Sequence, residues 1–152
     1  MMVYPDTSLL CSLYRQQHTT PRAIELIKQN PGPLPVSSML LLEFRQSIRF
    51  QMRLFGKDRS KGFSKNEGES MLALLRSDLA SGVLEKVAPD WEEVHRIAED
   101  LSAKYTMAEG HRFADILHVA TATVLRAAQF LTFDLNQQRL AAAEGMTVPD
   151  VN

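Results

Sequence analysis

QFLTFDLNQQRLAAAEGMTV, Gln129 to Val148, reads as strand, acid, helix and strand in succession. Gln129 to Phe133 supplies an apolar strand that stops at Asp134, LNQQRLAAAEG forms a helix closed by Gly145, and Met146 to Val148 begins a last strand. The start of the chain has the same grammar. Val3 to Pro5 is a short apolar stretch that stops at Asp6, and Thr7-Ser8 before LLCSLY marks a capped helix. Strands that pass into helices through a single acid, at both ends of the chain, are the units of a parallel sheet.

Between these ends the alternation continues. Pro21 suits the first turn of a helix through AIELIKQ, and PGP at Pro31 to Pro33 ends it. Leu34 to Val36 is a second strand, Ser37-Ser38 a cap, and MLLLEFRQSIRFQMRLFG a long helix that stops at Gly56. KDRSKGFSKNEGES reads as a loop leading into a further helix, with Ser64 and Glu67 at capping-box spacing, and that helix runs to Ser81-Gly82. VLEKV is a strand, and Pro89-Asp90 opens a helix with Trp91, Val94, Ile97, Ala98 and Leu101 on one face. Trp91 there reads as a core anchor. Arg112 to Ala128, RFADILHVATATVLRAA, is apolar on nearly every face, as in a helix packed centrally. The expected fold is a three-layer α/β/α domain with a mainly parallel sheet of four to five strands, spanning residues 1–152 as one unit.

Composition agrees with that size. The chain has 152 residues, enough to bury roughly two-thirds of its unfolded surface. Apolar residues make up 45% and charged residues 23%, a globular balance. MMVYPDTSLLC has no basic segment before an apolar core, and no apolar run reaches membrane-spanning length, so a cytoplasmic protein is expected, with no membrane partner. Cys11 is the single cysteine, which excludes an internal disulfide and a thiolate-rich zinc site and leaves it a small buried apolar residue. Net charge is −1, but unevenly spread. From Arg45 to Lys65 seven basic residues face the single acid Asp58, a balance of +6, which leaves −7 for the remainder. Such asymmetry suits an anionic partner.

Function in open parallel sheets collects outside the carboxyl ends of the strands, where Asp6 and Asp134 both emerge. Either alone also fits a helix N-cap. Glu43 shares a helical face with Met39, Leu40, Ser47 and Phe50, and an acid in an apolar stripe needs an Arg partner, a raised pKa or a cation. Asp115 lies in the first turn of the apolar helix, a place the helix dipole favours in any case. If the four converge, their repulsion calls for positive charge, and no Lys or Arg is evident among their motifs. A hard cation such as Mg²⁺ or Mn²⁺, which takes carboxylate oxygens, satisfies the set. Such a metal activates water and stabilises charge on a phosphodiester, so backbone hydrolysis of a nucleic acid is the matching chemistry.

PDTSLL, LLLEFRQSI, RFADILHVATA and FLTFDLNQQRLAAAEGMTV, in that order and spacing, closely resemble the PIN-domain nucleases, especially the small single-domain type found as VapC-like toxins. The likeness spans nearly the whole chain. It implies a Mg²⁺- or Mn²⁺-dependent ribonuclease whose metal is held by Asp6, Glu43, Asp115 and Asp134, with Ser8 and Thr132 in support. It also implies an antitoxin partner and a homodimer. Some relatives carry a further acid where this chain has Asn136, whose amide oxygen can ligate but brings no charge, which puts a second metal in doubt.

Arg45, Arg49 and Arg53 recur every four residues along the Glu43 helix and lead to Lys57. This basic ridge is expected to neutralise the phosphates of single-stranded or looped RNA, or to receive an acidic peptide such as an antitoxin; a plain solvated face is the alternative. His118 reads as a hydrogen-bonded core histidine, and His18, His95 and His111 have no partner pattern. No phosphate-binding loop GxxxxGK[ST] is present, which excludes that class of nucleotide-binding domain. The expected function is the endoribonuclease toxin of a toxin–antitoxin pair, with an orphan PIN nuclease or a non-catalytic PIN-fold binding module as alternatives.

Overall fold

A computed structural model describes residues 2–152. Four strands, β1 (Val3–Pro5), β2 (Leu34–Ser37), β3 (Leu84–Val87) and β4 (Gln129–Leu131), alternate with helices. β1 pairs with β4 and β2 with β3, both parallel, with Val3 opposite Gln129 and Leu34 opposite Leu84. β1 lies alongside β2 but no ladder joins them, so two parallel pairs stand where a single sheet of four to five strands was expected. Each seam strand carries a proline, Pro5 or Pro35, and thus lacks a backbone donor.

The expected fifth strand shrinks to an isolated bridge between Gln129 and Thr147. Phe130 N donates to Thr147 O and Thr147 N to Ala128 O, both at 2.9 Å. Pro149, two residues on, has no N–H with which to extend the ladder.

The helices follow the capping chemistry. α1 (Thr7–Tyr14) starts at Asp6, α2 spans Thr20–Gln29, and α3 (Ser38–Lys57) starts at Ser37, whose hydroxyl accepts from Leu40 N at 3.1 Å. Ser64 caps α4 (Lys65–Ser81), which closes on Gly82 in the left-handed conformation. Asp90 caps α5 (Trp91–Leu101), which runs through a π-helical turn, Ser102–Thr106, into the short α6 (Met107–Glu109). α7 (Phe113–Val124) is shorter than its apolar run, because Arg126 turns left-handed (φ 57°) just beyond it. α8 (Leu135–Ala143) is the last.

α1, α3 and α4 pack on one another, while α7 packs on α5 and α8. Tyr4, Phe44 and Phe130 are the largest fully buried side chains, and Tyr4 stacks on Phe130 across the β1–β4 pair with centroids 5.3 Å apart. Trp91 packs half-buried against this core. No helix among the described residues is long and apolar enough to cross a membrane.

Candidate metal centre

Asp6 and Asp134 stand where their strands end. Asp6 N donates to Leu131 O at 3.0 Å, the last bond of the β1–β4 pair. The Asp6 side chain turns back to cap α1, Oδ1 accepting from Leu9 N at 3.0 Å and from Ser8 Oγ at 2.6 Å, while Oδ2 accepts from Thr132 Oγ1. Ser8 Oγ also accepts from Phe133 N and Thr132 Oγ1 from Asp134 N, each at 3.0 Å, so the two hydroxyls stitch the strand ends together beneath the acids. Asp134 in turn caps α8 through Gln137 N at 3.0 Å. The capping reading therefore holds for both side chains, which also line one cleft. Asp6 is fully buried; burial pushes its carboxyl up, and the hydrogen bonds from Ser8, Thr132 and Leu9 N–H do not bring it back to its ordinary value.

Glu43 leaves the second turn of α3 towards the same place. Thr7 Oγ1 donates to Glu43 Oε1, and His118 Nε2 lies 2.9 Å from that oxygen. On its other side His118 Nδ1 lies 2.8 Å from Tyr4 Oη. Burial, with the charges of Asp6 and Glu43, pushes the Tyr4 hydroxyl well up, so it keeps its proton and donates to Nδ1. His118 then carries its own proton on Nε2 and donates to Glu43. Burial raises the Glu43 carboxyl, but His118, Thr7 and Arg112 outweigh it and hold the group below its usual value. Phe50, expected on the same apolar stripe, is instead 52% exposed.

Asp115 sits at the third position of α7 and accepts from Arg112 N at 3.4 Å, the reciprocal half of a capping box. The Arg112 guanidinium reaches over this acid and the next, 3.7 Å from Asp115 and 3.8 Å from Asp134. Positive charge therefore stands beside these acids on Arg112, three residues before Asp115 and the first residue of RFADILHVATA.

All four acids line one open cleft of about 340 Å³, with Thr7, Ser8, Cys11, Ser47, Arg112 and Gln137 in its walls. Thr132 is buried. Among the described residues no three His, Cys, Asp or Glu side chains stand close enough together to enclose an ion as they are placed. The donors nonetheless fit a hard divalent cation in kind, since each of the four acids offers carboxylate oxygen. Asn136 is exposed and outside the cleft, whereas Gln137 is buried, lines it, and leaves Oε1 with no hydrogen-bond partner. On a helix one residue's turn of 100° moves a side chain from solvent to site.

Cys11 is half-buried in the cleft wall, 3.8 Å from Ser47 Oγ, rather than enclosed in the core. Arg45, Arg49, Arg53 and Lys57 are absent from the walls; Arg49, Arg53 and Lys57 are exposed and Arg45 half-buried. At 100° per residue, Arg45 lies about 200° round α3 from Glu43. Sequence reasoning missed Arg112, Gln137 and the Tyr4–His118 support of Glu43. The only signal for the first was its spacing from Asp115, and the other two depend on contacts between distant segments.

No curated protein matches the chain by sequence. Among solved structures, VapC20 of Mycobacterium tuberculosis, a Sarcin-Ricin loop cleaving toxin, superposes with a TM-score of 0.62 at 16% identity over 95% of this chain and 96% of that one. VapBC2 of Rickettsia felis, bound to a DNA fragment from its promoter, gives 0.64 at 15% identity over 98% of each chain. FitAcB of Neisseria gonorrhoeae gives 0.63 at 16% identity over 99% of this chain and 98% of that one. At such identities the likeness speaks for the fold. The family described as PIN domain matches residues 3–143, nearly the whole chain, and this protein belongs to it.

Proposed function

We propose that this chain is a divalent-metal-dependent endoribonuclease that hydrolyses RNA phosphodiester bonds and serves as the toxin of a toxin–antitoxin pair. The observation that carries it is the arrival of Asp6, Glu43, Asp115 and Asp134, from four separate elements, in one cleft beyond the strand ends. Asp6, Asp115 and Asp134 also serve at helix N-termini, but capping does not require that they share a cleft with Glu43, where like charges repel. The toxin assignment is supported by the solved neighbours, which include a toxin described as cleaving the Sarcin-Ricin loop and VapBC assemblies.

In this reading Asp6, Glu43, Asp115 and Asp134 would hold Mg²⁺ or Mn²⁺, with Ser8 and Thr132 orienting Asp6 and a neutral amide at Asn136 or Gln137 completing the oxygen set. When bound, the metal supplies an activated water and a positive charge against the phosphodiester. The residues of the chain do the rest. Ser8, Thr132 and Leu9 N–H fix the Asp6 carboxylate, and Thr7 and His118 fix Glu43, so both carboxylates are held in place at the cleft. Arg112 neutralises Asp115 and Asp134 and gives a phosphate its nearest cation.

The proposal includes a single domain over the whole chain, helices layered on both faces of the strands, a cytoplasmic setting, an antitoxin partner and a homodimer. The exposed Phe113 and Leu135, beside Arg112 and Asp134, give the cleft an apolar rim suited to protein contact. Cleavage of total RNA with and without Mn²⁺, followed by mapping of the new 5′ ends, tests the reading. Metal-dependent cuts at defined positions are expected, and their absence would remove it.

A further inference from the structure

A second groove of about 340 Å³ adjoins the acidic cleft, and Cys11 and Ser47 form the shared wall between them. Arg15, Gln17, Gln51 and Phe63 line its far side. We propose that this groove is a subsite for one nucleobase of the substrate, next to the nucleotide whose phosphate lies at the acids. It rests on the ribonuclease reading, which places that phosphate.

The groove is built rather than incidental. Phe63 is 6% exposed and its N–H donates to Gln51 O at 3.4 Å, which ties the loop after α3 back onto that helix. Gly62 makes this docking feasible: it stands at φ +63°, and a Cβ there would lie 2.1 Å from Gln51 O. The Arg15 guanidinium sits 5.0 Å from the Phe63 ring centroid and its Nε donates to Glu67 at 3.1 Å, so its plane is fixed from two sides.

The chemistry suits an uncharged, planar ligand. Arg15 is already paired with Glu67, so the groove offers an anion no free cation. Gln17 is held through its backbone N–H, which donates to Thr20 Oγ1 at 2.9 Å, and Gln51 through its carbonyl. Among the described residues the fold's own hydrogen bonds leave both side-chain amides free, each with a donor and an acceptor for a base edge. Single-stranded RNA is read by this combination, a base laid against an aromatic or guanidinium plane with its edge hydrogen-bonded.

The test is fluorescence anisotropy of short labelled homopolymers of A, C, G and U with the full chain in EDTA, where cleavage does not intervene. The wild type should bind one base about tenfold more tightly than the others. Gln51→Ala and Gln17→Ala should each erase that preference while leaving affinity for the weaker homopolymers unchanged; a merely structural loss would weaken all four. Equal binding by the wild type, or a preference that survives both substitutions, would overturn the subsite and leave the groove to a protein segment. Base preference without Mn²⁺-dependent cleavage would remove the nuclease reading and keep the subsite, and cleavage without preference would do the reverse.

Discussion

At the scale of single residues, Asp6 joins two demands in one carboxylate. It caps α1, and it stands fully buried among other acids. Asparagine caps a helix nearly as well as aspartate. Asp6→Asn should therefore leave the fold intact, with the metal-free Tm unchanged or raised, while abolishing Mn²⁺-dependent RNA cleavage, as should Asp134→Asn. Circular dichroism with a cleavage assay separates the two effects. The sign of the pH dependence follows from the raised Asp6 carboxyl. The folded chain keeps this proton to higher pH than the unfolded chain, so the group's stabilisation is present below the ordinary aspartate range and lost as pH rises through the raised value. Glu43, held low, contributes stability above the ordinary glutamate range that is lost as pH falls through its lowered value. Because metal must displace the Asp6 proton, Mn²⁺ affinity by calorimetry should weaken on acidification sooner than for an ordinary aspartate. At His118 the stake is support of Glu43: His118→Phe removes the Nδ1 partner of Tyr4 Oη and leaves Glu43 Oε1 with Thr7 alone. Loss of about 1–3 kcal/mol in urea unfolding is expected for the buried Tyr4 hydroxyl and the weakened Glu43 support.

At the scale of elements, α3 divides its duties by angle. Glu43, Ser47 and Gln51 follow one another along a flank that lines both grooves, Phe44 and Ile48 face the core, and Arg49 and Arg53 face solvent. The loop from Asp58 to Ser64 reaches that flank only through Gly62. Gly62→Ala imposes both a left-handed alanine and a contact with Gln51 O, and should lower stability by about 2 kcal/mol, with proteolysis within the loop becoming faster. If the Asp58–Ser64 loop lay free of α3, that alanine would be nearly neutral. α7 shows a second element effect. Its apolar run reads on to Ala128, but the helix ends four residues earlier, where the chain turns left-handed at Arg126 to enter β4.

At the scale of the whole molecule, four acids from separate elements share one cleft, and a cation held there would relieve the repulsion that Arg112 leaves. A metal that binds the folded chain alone stabilises it by about 2.7 kcal/mol at a hundred times its Kd. In a thermal melt of a chain this size that corresponds to roughly 5–10 °C. Mn²⁺ should produce such a shift in the wild type and not in Asp134→Asn, and an equal shift in both would sink the metal assignment. The basic ridge acts at the same scale. Replacing Arg49 and Arg53 together by Ala should weaken RNA binding and make its salt slope shallower by about 1.4. An unchanged slope would return the ridge to plain solvent contact.

Local chemistry in the sequence determined the alternation of strands and helices, their caps at Asp6, Ser37, Ser64, Asp90 and Asp134, and the placing of two acids at strand ends. These depend on neighbours a few residues apart, which the sequence displays directly. The count of hydrogen-bonded strands was not legible, because whether residues 146–148 pair depends on where Pro149 falls against β4. Nor were the partners of Glu43 and Asp115, the exposure of Asn136 beside a buried Gln137, or the groove beyond Ser47. Each turns on contacts across many residues and on helical rotation to within a fraction of a turn, and those are set only when the elements pack.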